Sequence, residues 1–517
     1  MDTVTVNGDP VTLDDLIAVA RDGARAELDP KVEDRMERSR AVVADAVEHG
    51  KIMYGITTGF GALADTHIGR HDIEAMQLAL VRSHAAGVGE PLPDDAVRGL
   101  LLLRARTLAA GYSGVRVELP KRLLDMLNLG LLPVVPDKGS VGASGDLAQL
   151  AHLALPLVGE GQLRRPDAGT SAEAKRGRPA AELLAEEGLP PLTLAAKEGL
   201  SLINGTEPMQ VLLALAIADT DLLVKIADLA CALSIEALLG TDRAYDERVQ
   251  VIRPHPGQLV SAANLRALLK DSPLLASHRH SAHAVQDSYA LRCAPQVHGA
   301  VRDLLAHART VIEIELGAVV DNPVIVPDGE VMSTGNFHGE PLAFAADMLT
   351  MGIAELASIS ERRSYRILDP AVSRGLPPFL ASDAGTNSGY MIAQYTAASL
   401  VSENKVLAHP SSVDTIPTSG NQEDHVSMGW TAVRKLHEVI TNVRSVLAVE
   451  LIEAAQGIDF RAGTAQPSPA VAAVHARLRE AVPPMPVDRY IADQIETVSV
   501  LLPELVAAAE SVVGPLS

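Results

Sequence analysis

Between Pro208 and Leu239 the chain carries a nearly unbroken apolar run, interrupted in its middle by Asp219, Asp221, Lys225 and Asp228. At about 1.5 Å per residue it would reach roughly 48 Å as a single helix. Four central charges are incompatible with a membrane span, so the run predicts a core helix of a large bundle. Helical periodicity also covers roughly 71–130, 297–320, 340–368, 390–408 and 425–457. Helices of this length with wide apolar faces pack against one another and against partners, which predicts a homo-oligomer. Aromatics are only 3% of the residues, so the core must be built of Ala, Leu, Val and Ile, and Ala and Leu favour helix. The fold class expected is mainly α. A length of 517 residues allows more than one domain. The division expected is an N-terminal α-rich domain over 1–205 and a long-helix bundle over 206–517.

The formal net charge of -21 repels phosphate backbones and anionic lipid, so neither nucleic acid nor a membrane is expected as a partner. Cys231 and Cys293 are the two cysteines; they lie far apart, without metal-ligand spacing, and imply no disulfide framework. The opening MDTVTVNGDPVTLDDL lacks a basic-then-apolar pattern, so a cytoplasmic location is expected. Thr12, ahead of Leu13, Asp14 and Asp15, predicts a capped helix start. His278, His280 and His283 in SHRHSAH are not spaced as a recognised ligand set. They read as a polar loop, and no metal is expected.

Two Gly-rich stretches stand apart from the helices: MYGITTGFGALADT (53–66) and KGSVGASGDL (138–147). Both read as ordered loops, with Asp146 placed to cap the helix that follows. The polar segment 160–181 reads as an exposed excursion. In the second loop, attack of the Gly145 nitrogen on the Ala143 carbonyl carbon closes a five-membered ring. Glycine lets the backbone compress there at the lowest steric cost. Loss of one water from the ring, and of the Ser144 hydroxyl as a second, leaves an exocyclic methylidene, a strong electrophile. The spacing alone favours a plain helix-capping turn. A phosphate loop is disfavoured by the missing Lys-Ser/Thr ending.

The segment GSVGASGDLAQLAH resembles the signature of the histidine and aromatic amino acid ammonia-lyase family. YGITTGFG (54–61), SHAAGVG (83–89), LINGTE (202–207), VQDSYALRC (285–293), GNFHGEP (335–341) and NQEDHVSMG (421–429) resemble further motifs of that family, in family order. The resemblance implies a fumarase/aspartase-like helical architecture. It implies 4-methylidene-imidazole-5-one (MIO), made from Ala143, Ser144 and Gly145, with no external cofactor. It also implies an amino acid substrate, and a homotetramer whose active sites draw on three subunits.

Roles are carried over on the matching positions. Tyr54 resembles the catalytic base; a free phenol has a pKa of about 10, so its surroundings must lower it. Arg292 resembles the group that grips the substrate carboxylate in a fork. Asn204 resembles a hydrogen-bond partner of MIO or the amine. Gln286 and Tyr289, three apart and so on one face if that segment is helical, resemble residues that orient MIO and substrate, with Tyr289 counted among the catalytic groups. Phe337 resembles a pocket wall. Ser83-His84 and Glu423 resemble the histidine-specific members, Glu423 with a further catalytic role. An imidazole has two nitrogens to satisfy, and a phenyl ring would leave His84 and Glu423 buried and unpaired. Thr57 departs from the Asn that many histidine-specific members carry. Tyrosine or phenylalanine lyases, a 2,3-aminomutase and an inactive helical scaffold are the competing readings. Addition of the substrate amine to the methylidene, or of the imidazole carbon, are both open schemes.

Overall fold

The computed structural model describes residues 3–59, 68–166, 169, 171–281 and 285–517. Phe60 and Gly61 of the first Gly-rich motif, residues 167, 168 and 170 of the polar segment, and His283 lie outside the described residues.

The main helices are α1 (Leu13–Ala20), α2 (Ile73–His84), α3 (Asp94–Ala109), α4 (Glu118–Asn128), α5 (Leu147–Ala154), α6 (Glu198–Ile203) and α7 (Glu207–Ala237). They continue with α8 (Ala294–Glu315), α9 (Glu340–Leu368), α10 (Met391–Leu407), α11 (Gly429–Arg461), α12 (Pro469–Ala481) and α13 (Ala492–Val513). Strands are few and short, as in the parallel pair β1 (Thr3–Val6) and β2 (Arg25–Leu28), which starts at Thr3 against Arg25 and ends at Val6 against Leu28. The mainly α expectation therefore holds. Periodicity places α7, α9 and α10 to within two residues of their ends. The helix expected to reach 320 stops at Glu315, and a cis Asn322-Pro323 bond follows. Thr12 caps α1, its Oγ1 accepting from the Asp15 amide at 3.0 Å. The polar segment is more ordered than expected: Gln162–Arg164 pairs with both Leu132–Pro133 and Arg178–Pro179.

The chain divides into two compact units. Unit 1 comprises Met1–Leu215, Arg309–Ala346 and Ser411–Arg434; unit 2 comprises Ala216–Ala308, Asp347–Pro410 and Lys435–Ser517. The expected boundary after 205 falls near the end of unit 1's first segment, but two later stretches join that unit. The borders fall inside α7, α8, α9 and α11, because helices of 22 to 33 residues outrun one unit.

Within unit 2 the charges that interrupt α7 all have partners. Asp228 is fully buried and accepts from His298 Nδ1 at 2.8 Å, Arg302 Nη2 at 2.7 Å and Asn264 Nδ2 at 3.0 Å. Asp219 pairs with Arg444 at 2.8 Å and Lys225 with Glu510 at 3.4 Å. The Arg363–Glu450 pair is likewise buried on both sides. Such charges persist inside a core only when paired and hydrogen-bonded. Among the described residues α9 alone is long and apolar enough to cross a membrane, and 67% of its apolar window is buried within the protein.

Candidate active site

The loop 138–147 is held from all sides within unit 1. Gly142, Ser144 and Gly145 take left-handed backbone angles, with φ of 78°, 54° and 74°. For Ser144, which has a Cβ, that conformation costs about 1–2 kcal/mol and persists only where neighbours impose it. They do. Gly145 bridges to Gly205, the Asp146 amide donates to the Gly205 carbonyl at 2.9 Å, and the Met428 amide donates to the Val141 carbonyl at 3.0 Å. A Cβ on Gly145 would lie 1.9 Å from the Gly205 oxygen, so no side chain fits there. One on Gly142 would meet Ser427 Oγ at 2.1 Å.

Asp146 sits at the start of α5 but does not cap it. Its Oδ2 instead accepts from the Met209 amide at 3.1 Å, in the first turn of α7, and its Oδ1 accepts from Ser140 Oγ at 2.6 Å. The carboxylate therefore serves a different helix from the one expected, because the loop folds back onto the α7 N-terminus, where orphan amides favour an anion. Burial pushes its pKa up to about 7.

Asn204 is buried at the C-terminal end of α6. Its Nδ2 donates to the Asn322 carbonyl at 2.9 Å, while its Oδ1 is buried without a hydrogen-bond partner. Beneath it, Arg104 donates from Nη1 to the Asn204 carbonyl at 2.9 Å and pairs through Nη2 with Glu207 at 3.0 Å, both side chains fully buried. Lys197 and Asp321 form a second buried pair at 2.8 Å, which Ser201 joins through its hydroxyl. Of these supports the motifs include Glu207, the last residue of LINGTE. The signal in the sequence is Arg104 inside the apolar run LLLRARTLAA, since an arginine there requires a partner. Asp321, with Asn322 and Pro323, reads in the sequence as a turn that ends a helix and also resembles a family motif.

Tyr54, His84, Ser144, Asn204 and Glu423 line one cavity of about 490 Å³ in unit 1, with apolar walls that include Met76 and Leu147. That size suits a small molecule. A larger cavity of about 720 Å³, lined by Arg35, Arg106 and Tyr112, is bordered by none of the candidate site residues. Tyr54 starts a tight turn pinned by Thr57, whose hydroxyl donates to the Lys51 carbonyl at 2.6 Å and accepts from the Met53 amide at 3.0 Å. The threonine that departs from the family pattern thus holds the Tyr54 turn. His84 Nδ1 donates to the Leu80 carbonyl at 2.8 Å, which leaves Nε2 as the neutral ring's acceptor. Glu423 is steadied by Thr418, whose Oγ1 donates to Oε2 at 2.7 Å.

Phe337 lies in the turn before α9 and is not among the cavity's lining residues. Gln286, Tyr289 and Arg292 belong to unit 2. The helix there spans only Tyr289–Arg292. Gln286 precedes it and does not share a helical face with Tyr289, because the backbone from 285 to Ser288 is irregular. Arg292 stacks on the Tyr289 ring at 4.6 Å and donates from Nε to the Asp287 carbonyl at 3.0 Å. Tyr289 is 71% exposed. His278 Nε2 is fixed to the Gly240 carbonyl at 2.8 Å.

A half-buried acid near the α7 N-terminus makes stability pH-dependent. Glu315 is raised to about 7, by burial first and by the nearby Glu207 charge second. A carboxyl with a folded pKa above its unfolded value binds more protons when folded, so stability falls as pH rises from the unfolded value of 4.5 to about 7. We expect the wild-type Tm, measured by calorimetry, to fall relative to that of Glu315→Gln across this window. Parallel Tm profiles would remove Glu315 as the cause.

A sequence profile of the aromatic amino acid lyase family matches residues 11–480. The histidine ammonia-lyase of Anaeromyxobacter sp. (strain K) is 51% identical over 506 residues, covering 98% of this chain and 99% of that protein. That of Streptomyces avermitilis is 50% identical over 520 residues, covering both chains in full. Among solved structures, histidine ammonia-lyase from Trypanosoma cruzi superposes with a TM-score of 0.89 at 41% identity, covering 99% of this chain and 96% of that one. Tyrosine aminomutase from Streptomyces globisporus superposes with a TM-score of 0.92 at 37% identity, covering both in full. The architecture is that of the helical amino acid lyases and aminomutases. The chain belongs to the aromatic amino acid lyase family.

Proposed function

We propose that the chain eliminates ammonia from L-histidine to give trans-urocanate, using an MIO group formed from Ala143, Ser144 and Gly145. The observation that carries this reading is the cavity that gathers Tyr54, Ser144 and Asn204 with the polar pair His84 and Glu423. The compressed loop fits the group: the Gly145 position excludes any Cβ, and the unpartnered Asn204 Oδ1 is available to the substrate amine. MIO supplies an electrophilic carbon that makes the amine a better leaving group. Tyr54 takes the β-proton, and Leu147 and Met76 keep water from the reacting atoms. Bound as the imidazolium, whose two ring nitrogens both carry hydrogen, the substrate donates from one to His84 Nε2 and from the other to Glu423.

Arg292, with Gln286 and Tyr289, is assigned to the substrate carboxylate and to positioning, contributed by a neighbouring subunit of a homotetramer in the cytoplasm. The exposure of Tyr289 and Val285 in the single chain supports that covering. Sedimentation checks it: a fully active monomer would rule it out. The similarity to a tyrosine aminomutase keeps tyrosine in the substrate panel, where urocanate, coumarate and cinnamate are distinguished by ultraviolet absorption. Glu423→Gln is expected to cut kcat/KM for histidine by about 10–100-fold, the scale of one hydrogen bond to a charged group. Faster turnover of tyrosine or phenylalanine by the wild type would overturn the histidine assignment.

A further inference from the structure

Two histidines outside the cavity face each other across unit 1. His338 lies in the turn that precedes α9, and Glu340 is the first residue of that helix. His425 comes from the stretch that leads to α11, 87 residues further along the chain. His338 Nε2 and His425 Nδ1 are 3.5 Å apart, with the rings stacked at 5.6 Å between centroids and 29° between planes. Glu340 Oε2 stands 3.9 Å from His338 Nδ1. One donor atom from each of the three residues lies within 4.8 Å of the other two.

We propose that His338, Glu340 and His425 form a binding site for a divalent transition-metal ion such as Zn²⁺. Tetrahedral zinc holds imidazole nitrogens at about 2.0–2.1 Å, which places two of them roughly 3.3–3.4 Å from each other. The 3.5 Å separation already present is close to that value. Two imidazoles and one carboxylate select zinc-like ions over magnesium or calcium, which prefer all-oxygen shells. His425 is exposed and the side chains of His338 and Glu340 are 31% and 24% exposed, so an ion has an entry path and water completes its shell. Glu340 completes the set, its ligand oxygen standing within 4.8 Å of a nitrogen on each histidine.

The placement gives the ion a consequence. His338 follows Phe337, and His425 stands two residues after Glu423. A bound ion ties the turn carrying one to the segment carrying the other, and so acts as a clasp outside the cavity, separate from the elimination chemistry.

The test is a calorimetric titration of the full-length, EDTA-treated protein with ZnCl₂, and with CoCl₂ as a visible-absorption probe of tetrahedral nitrogen ligation. One ion per chain is expected, with a rise in Tm on binding. Glu340→Gln and the double variant His338→Gln/His425→Gln should each weaken binding at least tenfold and abolish the Tm rise. His280→Ala, which alters the other His-rich stretch, should change neither. Failure of the wild type to bind one ion per chain overturns the proposal. So does undiminished binding by the double variant, which would mark adventitious capture by other surface histidines.

Discussion

The wild-type chain is expected to weigh two water molecules less than its sequence predicts, and protein carrying Ser144→Ala is expected to lack that full deficit, because at least the water from the Ser144 hydroxyl cannot leave. One water leaves as the Gly145 nitrogen closes on the Ala143 carbonyl carbon, and the second is the Ser144 hydroxyl. Alanine supplies no hydroxyl, so no methylidene forms. Elimination activity should fall on the order of 10³-fold or more, as when a member of a concerted catalytic unit is removed. The fold should survive, because the loop is fixed by backbone contacts to Gly205 and Met428 that alanine leaves intact. Intact-mass spectrometry of both proteins, alongside the release of urocanate, decides it. A wild-type mass equal to the sequence mass on folded oligomer would reduce the loop to a turn that docks on α7.

Tyr54→Phe should behave differently. The mass deficit should remain, because the ring is built elsewhere. Removing the proposed acceptor of the β-proton should lower kcat by about 10²–10⁴-fold with little change in KM. The turn itself is held by Thr57 and Lys51, so phenylalanine should leave it in place. An unchanged kcat would mean that Tyr54 only packs the turn, and that the proton acceptor lies elsewhere in the cavity.

Much of the helical scaffold is legible in the amino-acid sequence. α7 runs from Glu207 to Ala237 against an apolar run of 208–239, since a long periodic stretch leaves little choice of conformation. The Gly-rich loop is equally visible. Its cradle is not, because Gly205, Met209, Ser427 and Met428 approach from positions that no local pattern relates to residue 145. Asp146 illustrates the limit. Helix-start chemistry assigns it to the helix it precedes, and only the fold reveals that an amide of α7 takes the carboxylate instead. The spacing rule that pairs Gln286 with Tyr289 presupposes a helix that begins only at Tyr289. The buried Arg104–Glu207 pair joins two apolar segments whose proximity sequence spacing does not encode.

The same cradle sets an order of events during synthesis. The last backbone group to grip the loop is the amide of Met428, which leaves the ribosome long after Ser144. On the proposed chemistry, ring closure needs the compressed backbone, so a nascent chain lacking that segment stays unreactive. The electrophile would thus be switched on by completion of the fold, and a missing mass of two waters would serve as a chemical timestamp that the chain had matured.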